Sequence, residues 1–167
     1  ASDVYKRQIS AGAGKFDVRP FPKSHRTVAP ARKEGLSKDI THGVILDRTC
    51  FYPEGGGQES DMGVLSTDSV HCRVLHVAKV GNHIVHLTDG PLSNGDVVHG
   101  SLDWNRRKQL MDHHTSVHIV GGAARRILGP HIYQAGANKS EESARLDITH
   151  YNRLSRQDLD EIEKMAN

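Results

Sequence analysis

His113-His114-Thr115-Ser116-Val117-His118-Ile119-Val120-Gly121-Gly122-Ala123-Ala124-Arg125-Arg126-Ile127-Leu128-Gly129 is the stretch on which the reading of this chain turns. It is the body of an amphipathic helix that opens at Trp104 behind Asp103, a good N-cap, and stops at Gly129-Pro130. Roughly 25 residues rising 1.5 Å each make a rod of about 37 Å. Leu110, Val117, Gly121, Ala124 and Leu128 form its core stripe, with His114 on that stripe and His118 at its edge. Residues four apart share a helix face with Cβ atoms roughly 5–6 Å apart, so the two imidazoles can converge on one cation. With 12 histidines in the chain, the pair is equally compatible with packed or solvated rings. Thr115 stands where zinc-protease helices carry a glutamate base, which excludes that chemistry. Gly121-Gly122 weakens the helix by on the order of 1–2 kcal/mol relative to alanines. A helix tolerates that where another backbone or a ligand comes close.

Upstream of the helix the text is that of short strands. Val44-Ile45-Leu46 begins one that runs through Thr49-Cys50-Phe51-Tyr52 to Pro53. Glu54-Gly55-Gly56-Gly57-Gln58 follows, and three glycines suit either a close backbone approach or a plain flexible turn, with the Gln58 amide presented beyond them. Met62–Leu65, Val70–Val80, Ile84–Leu87 and Val97–Leu102 supply further strands, with Gly81-Asn82 a tight-hairpin signal. The spacing predicts a small antiparallel sheet or barrel over residues 43–102. Downstream, His131–Ala137 and Ser143–Ile148 read as two strands joined by a polar turn. Ser155-Arg156-Gln157-Asp158 is a capping box that opens a last helix. The chain stops at Asn167 inside that helix, without a C-cap, and reads as cut. The expected fold class is α+β: a β-barrel-like subdomain (43–102), then a long helix and an α/β core (103–167), truncated at its C-terminus.

At 167 residues the chain can bury one core or two small ones. No apolar run approaches the ~18–20 residues that span a bilayer, and no segment resembles a signal peptide. Cys50 and Cys72 form no Cys-x-x-Cys pair and read as reduced thiols, Cys50 in packing. The net charge of +2 conceals a division. Residues 1–40 carry nine Lys/Arg against four Asp/Glu and read as a basic, mostly disordered leader; the remainder carries thirteen against sixteen. A nucleic-acid partner therefore rests on local clusters such as Arg106-Arg107-Lys108 and Arg125-Arg126, which also suit a solvated helix face.

Four segments taken together carry a family resemblance: Leu46-Asp47-Arg48-Thr49-Cys50-Phe51-Tyr52-Pro53-Glu54-Gly55-Gly56-Gly57-Gln58, His114-Thr115-Ser116-Val117-His118, Leu128–Ala137, and Ala144-Arg145-Leu146-Asp147-Ile148-Thr149-His150-Tyr151. In this order they resemble the editing domain of archaeal-type alanyl-tRNA synthetase over about residues 43–165. The resemblance implies a β-barrel bearing the Gly-Gly-Gly-Gln loop packed on an α/β part bearing zinc. It implies His114 and His118 as two of four zinc ligands, the others being a Cys-x-x-x-His pair further on. None follows His118, so this chain alone would hold zinc weakly. The implied reaction is hydrolysis of the ester joining serine or glycine to the terminal ribose of tRNA(Ala), through a zinc-bound or zinc-oriented water. A second site is needed because an activation pocket separates such small changes by only about 1–3 kcal/mol.

The resemblance makes Gln58 and Thr49 the catalytic and hydroxyl-sensing candidates, and Arg106, Arg107, Lys139 and Arg145 the tRNA contacts. His150 is either structural or part of the cleft wall. The family's aminoacylation core, with its ATP and magnesium, precedes such a module and is absent here. Mischarged tRNA(Ala) is the implied partner, with no membrane and no DNA, in the cytoplasm. The alternatives are a freestanding alanyl-tRNA editing deacylase and a noncatalytic RNA-binding module.

Overall fold

The computed structural model describes residues 19–20 and 37–167, so most of the leader expected over residues 1–40 lies outside the described residues. The elements are β1 (Arg19–Pro20), β2 (His42–Ile45), β3 (Gly63–Ser66), β4 (His71–Val80), β5 (His83–Thr88), β6 (His99–Leu102), α1 (Trp104–Leu128), β7 (Gln134–Lys139), β8 (Ala144–Ile148) and α2 (Arg156–Ala166). They divide into two compact units. Among the described residues, one holds those up to 54 together with 60–104, the other residues 55–59 and 105–167. Among the described residues no helix is long and apolar enough to cross a membrane.

The first unit is a six-stranded antiparallel sheet in the order β1-β2-β5-β4-β3-β6. Gly81 turns the β4–β5 hairpin at a φ of 59°, and the ladder slips once, between Val74 and His76. Val44, Phe51, Leu65, Cys72, Val74, Val77, Leu92 and Val98 form its core. The expected barrel is corrected to an open sheet: β1 and β6 are its edges, and no pairing joins them among the described residues. Closure needs a progressive stagger of register around the axis. Here β2–β5, β3–β4 and β3–β6 pair residue for residue over four positions each, with no slip.

The strand expected over Val44–Tyr52 stops at Ile45. Beyond it, side-chain acceptors replace the ladder. Thr49 Oγ1 accepts from the Phe51 amide at 3.0 Å and Asp61 Oδ2 from the Tyr52 amide at 2.6 Å. No disulfide links the cysteines; the buried Cys72 Sγ faces the Pro91 carbonyl at 3.4 Å, and burial raises its thiol pKa.

The second unit is built on α1, which buries Arg106, Leu110, Val117, Ala123 and Ala124. β7 and β8 form an antiparallel hairpin with a register shift between Gln134 and Gly136. Ala123, Ala124, Ile132 and Ile162 make its core, with Ile127, Leu128, Ile148 and Ala166 packed against them. The capping box is complete: Ser155 Oγ accepts from the Asp158 amide and Asp158 Oδ2 from the Ser155 amide, while the Ser155 hydroxyl's bond to Oδ2 at 2.7 Å, and then that amide's, hold the Asp158 carboxyl below its usual pKa. In the last turn of α2 the Asn167 amide donates to Glu163 O at 3.1 Å. Neither interior glycine of α1 is demanded by a neighbour. A Cβ on Gly121 would meet Leu146 at an ordinary 3.6 Å, and one on Gly122 would meet nothing within 4 Å.

Candidate functional site

The triglycine segment folds within the second unit as a two-residue hairpin. Gly55 and Gln58 exchange both main-chain bonds, at 3.1 and 3.0 Å, around Gly56 and Gly57. Both central residues have positive φ, 60° and 73°, the requirement of the tightest hairpin turn. Gly57 is the more constrained, because a Cβ there would lie 2.0 Å from the Ala137 carbonyl oxygen on β7. The loop lies along the end of β7. Gln58 bridges Lys139 in parallel, the Lys139 amide donates to Gly57 O at 2.7 Å, and the Glu59 amide donates to Lys139 O at 3.0 Å.

This register brings Gln58, only 5% exposed, to α1. Its Oε1 lies 2.7 Å from Nδ1 of His114, across 56 positions of sequence. An amide oxygen can only accept, so Nδ1 carries the proton and Nε2 keeps its lone pair. The rings of His114 and His118 have centroids 5.0 Å apart at an interplanar angle of 40°. Burial first, then the charges of Lys139 and His118, hold His114 below the usual histidine pKa, which favours the neutral ring. His118 is exposed and borders a cavity of about 250 Å³ shared with Gly121, Gly122, Arg125 and Tyr133. Arg125 caps the Tyr133 ring at 4.5 Å. Two imidazoles on one helix face are suitable cation ligands. No third His, Cys, Asp or Glu completes a ligand group among the described residues.

The proposed tRNA contacts have distinct surroundings. Arg106 is buried, and its guanidinium bonds Glu59 at 2.7 Å and Glu141 at 2.8 Å. Burial works against that charge, but the two carboxylates outweigh it and raise its pKa. Lys139 is 2% exposed and donates from Nζ to Gly56 O at 2.8 Å. Arg107 is half-buried, and Arg145 is exposed and ion-paired with Asp147 at 3.1 Å. His150 Nδ1 lies 2.9 Å from His131 Nε2, and their rings stack beside Tyr151.

Thr49 belongs to the first unit, where its hydroxyl meets His86 Nε2 at 2.8 Å. Nδ1 of His86 donates to Val44 O at 3.1 Å, so Nε2 is the acceptor and Thr49 the donor. Burial pushes the His86 pKa down to about 4. Thr49 therefore has its proton committed and offers a ligand a lone pair at most.

Two features escaped the sequence reading. His113 Nδ1 donates to Ser140 O at 2.8 Å and Nε2 faces Gln109 at 2.9 Å, which ties α1 to the β7–β8 turn. A Cys-x-x-x-His spacing, Cys72 and His76, precedes the histidine pair on β4 rather than following it. Its thiol lies on Pro91 O, and its ring meets Ser60 at 3.1 Å and Glu54 at 3.4 Å. Both were discoverable as spacings, but their partners arise from tertiary packing.

Comparison with known proteins adds a family. A family model described as tRNA synthetases class II (A) matches residues 26–106. An alanine–tRNA ligase of Ignicoccus hospitalis is 52% identical over 124 residues, 74% of this chain and 14% of that protein. One from Hyperthermus butylicus is 54% identical over 125 residues, again 74% and 14%. One from Metallosphaera sedula is 48% identical over 155 residues, 90% of this chain and 17% of its own. The chain thus spans between 14% and 17% of the length of these relatives.

Proposed function

This chain belongs to the alanyl-tRNA synthetase family, and from that premise we propose that its second unit carries a proofreading centre for mischarged tRNA(Ala). The observation that supports this reading is the meeting of the Gly-Gly-Gly-Gln loop with the histidine pair, Gln58 Oε1 on His114 Nδ1 at 2.7 Å. The reaction is hydrolysis of the ester between serine or glycine and the terminal ribose. Water attacks the ester carbonyl carbon, the bond to the ribose oxygen breaks, and the ribose hydroxyl leaves with a proton. His114 and His118 fit two positions of a four-ligand zinc site, since the Gln58 bond fixes His114 as an Nε2 ligand. The remaining ligands would come from outside the described residues. A zinc ion bound there would supply a water of lowered pKa and a Lewis acid for the carbonyl. Gln58 orients His114 through Oε1 and keeps its amide protons for a substrate oxygen.

The test is deacylation of Ser-tRNA(Ala) by a full-length archaeal relative in which residues 43–165 of this chain replace the matching segment. His114→Ala is expected to abolish clearance of the mischarged tRNA while aminoacylation with alanine persists. Clearance unchanged by His114→Ala overturns the assignment.

A further inference from the structure

The second unit buries a charge that stability alone does not call for. Lys139 is 2% exposed, and no carboxylate pairs with it among the described residues. Among the described residues its ammonium makes one hydrogen bond, to the Gly56 carbonyl at 2.8 Å. Burying an ammonium costs several kcal/mol in effective terms, and an apolar side chain of similar volume commonly serves a fold as well or better. Gly56 is the tip of the glycine turn, and the turn's exit is gripped in the same way. Arg106, 7% exposed, holds Glu59 at 2.7 Å and carries Glu141 of the β7–β8 turn on its other nitrogen at 2.8 Å.

Main-chain bonds already fix Gly57 and Glu59 in register with Lys139. The two cations add side-chain bonds on either side of Gln58, Lys139 Nζ to the Gly56 carbonyl and Arg106 to the Glu59 carboxylate. We infer that Lys139 and Arg106 are positioning residues: two cations that clamp the tip and the exit of the glycine turn so that Gln58 Oε1 meets His114 Nδ1. Neither is a free phosphate contact. The clamp rests on the proofreading reading only for its purpose; its geometry is independent of the reaction.

The variant is Lys139→Met, which keeps the stem and removes the charge. In the whole chain, melting should be unchanged or raised. Imidazole nitrogen NMR of His114 should move from a fixed Nδ1–H tautomer to averaged nitrogens. Arg106→Gln should do the same to the tautomer and provides a second route if Lys139→Met fails to fold. In the full-length chimera, kcat for Ser-tRNA(Ala) deacylation should drop on the order of 10–100-fold at nearly constant KM, as for loss of a group that orients a ligand. A rise in KM alone makes Lys139 an RNA contact and overturns the clamp. Equal losses of stability and activity make it structural only and also overturn it. An unmoved His114 tautomer in both variants overturns it whether or not the chimera deacylates. Tautomer loss in a chimera with no deacylase activity upholds the clamp and removes the proofreading reading.

Discussion

Lowering the pH tests the packing of the first unit through one ring. His86 is fully buried between β2 and the Thr49 turn, donating from Nδ1 to Val44 O and accepting at Nε2 from Thr49. Protonation would put a second N–H against a hydroxyl already oriented as donor and would bury a charge, so the folded ring titrates near 4 instead of 6.5. Above pH 6.5 the ring is neutral in both states and the contribution is flat. Between 6.5 and about 4 the unfolded chain takes up a proton that the folded chain refuses, so stability falls as pH falls. The separation of those values amounts to about 3 kcal/mol, a large part of a small domain's stability.

Urea unfolding at pH 7.5, 6 and 4.5 should therefore show His86→Gln losing its disadvantage against the native chain as the pH drops. The His86 Cε1 proton should titrate near 4 in the folded protein. A ring that titrates near 6.5, or a native-to-variant difference that does not change with pH, refutes the argument.

Two neighbouring glycine substitutions should destabilise by clearly different amounts. Gly57→Ala forces a Cβ to 2.0 Å from Ala137 O and holds alanine at a φ of 73°, so it should cost several kcal/mol and free Gln58 from His114, whereas Gly56→Ala, with open space, should cost only the roughly 1–2 kcal/mol of the left-handed conformation. Thermal melting together with the Gln58 side-chain amide resonance distinguishes them, and equal effects would refute the close-approach account. Gly122→Ala, mid-helix with nothing within 4 Å, should stabilise by roughly 0.5–1 kcal/mol. A fall in melting temperature there would mean that the helix needs that gap.

Elements set by local periodicity were legible in the sequence. The long helix has its expected ends because Asp103, Gly129 and Pro130 are local signals, and α2 starts at its capping box for the same reason. The hairpin of β4 and β5 followed from Gly81-Asn82. What was not legible came from contacts distant in sequence. The strand expected through Tyr52 ends early because Asp61 and Thr49 compete for its amides. The open sheet was read as a barrel because alternation reports which face is buried and not which edges meet. In the site, the His114–His118 spacing announced itself, and Gln58 was placed by its motif. Arg106 and Lys139 look like any surface cations in sequence, because a buried clamp and a solvated face have the same composition.

The way the backbone is shared between the two units sets how the protein can be made and taken apart. It crosses from one to the other three times, at Glu54–Gly55, Glu59–Ser60 and Trp104–Asn105. During synthesis the glycine turn leaves the ribosome well before the helix it serves, and 45 residues of the other unit are made in between. Its grip on β7 is therefore among the slow, long-range steps of folding. A gene cut at Trp104–Asn105 yields a C-terminal piece with the histidines and no glutamine to aim them, and only supplying a peptide of residues 55–59, or a circular rearrangement that restores it, should return that partner.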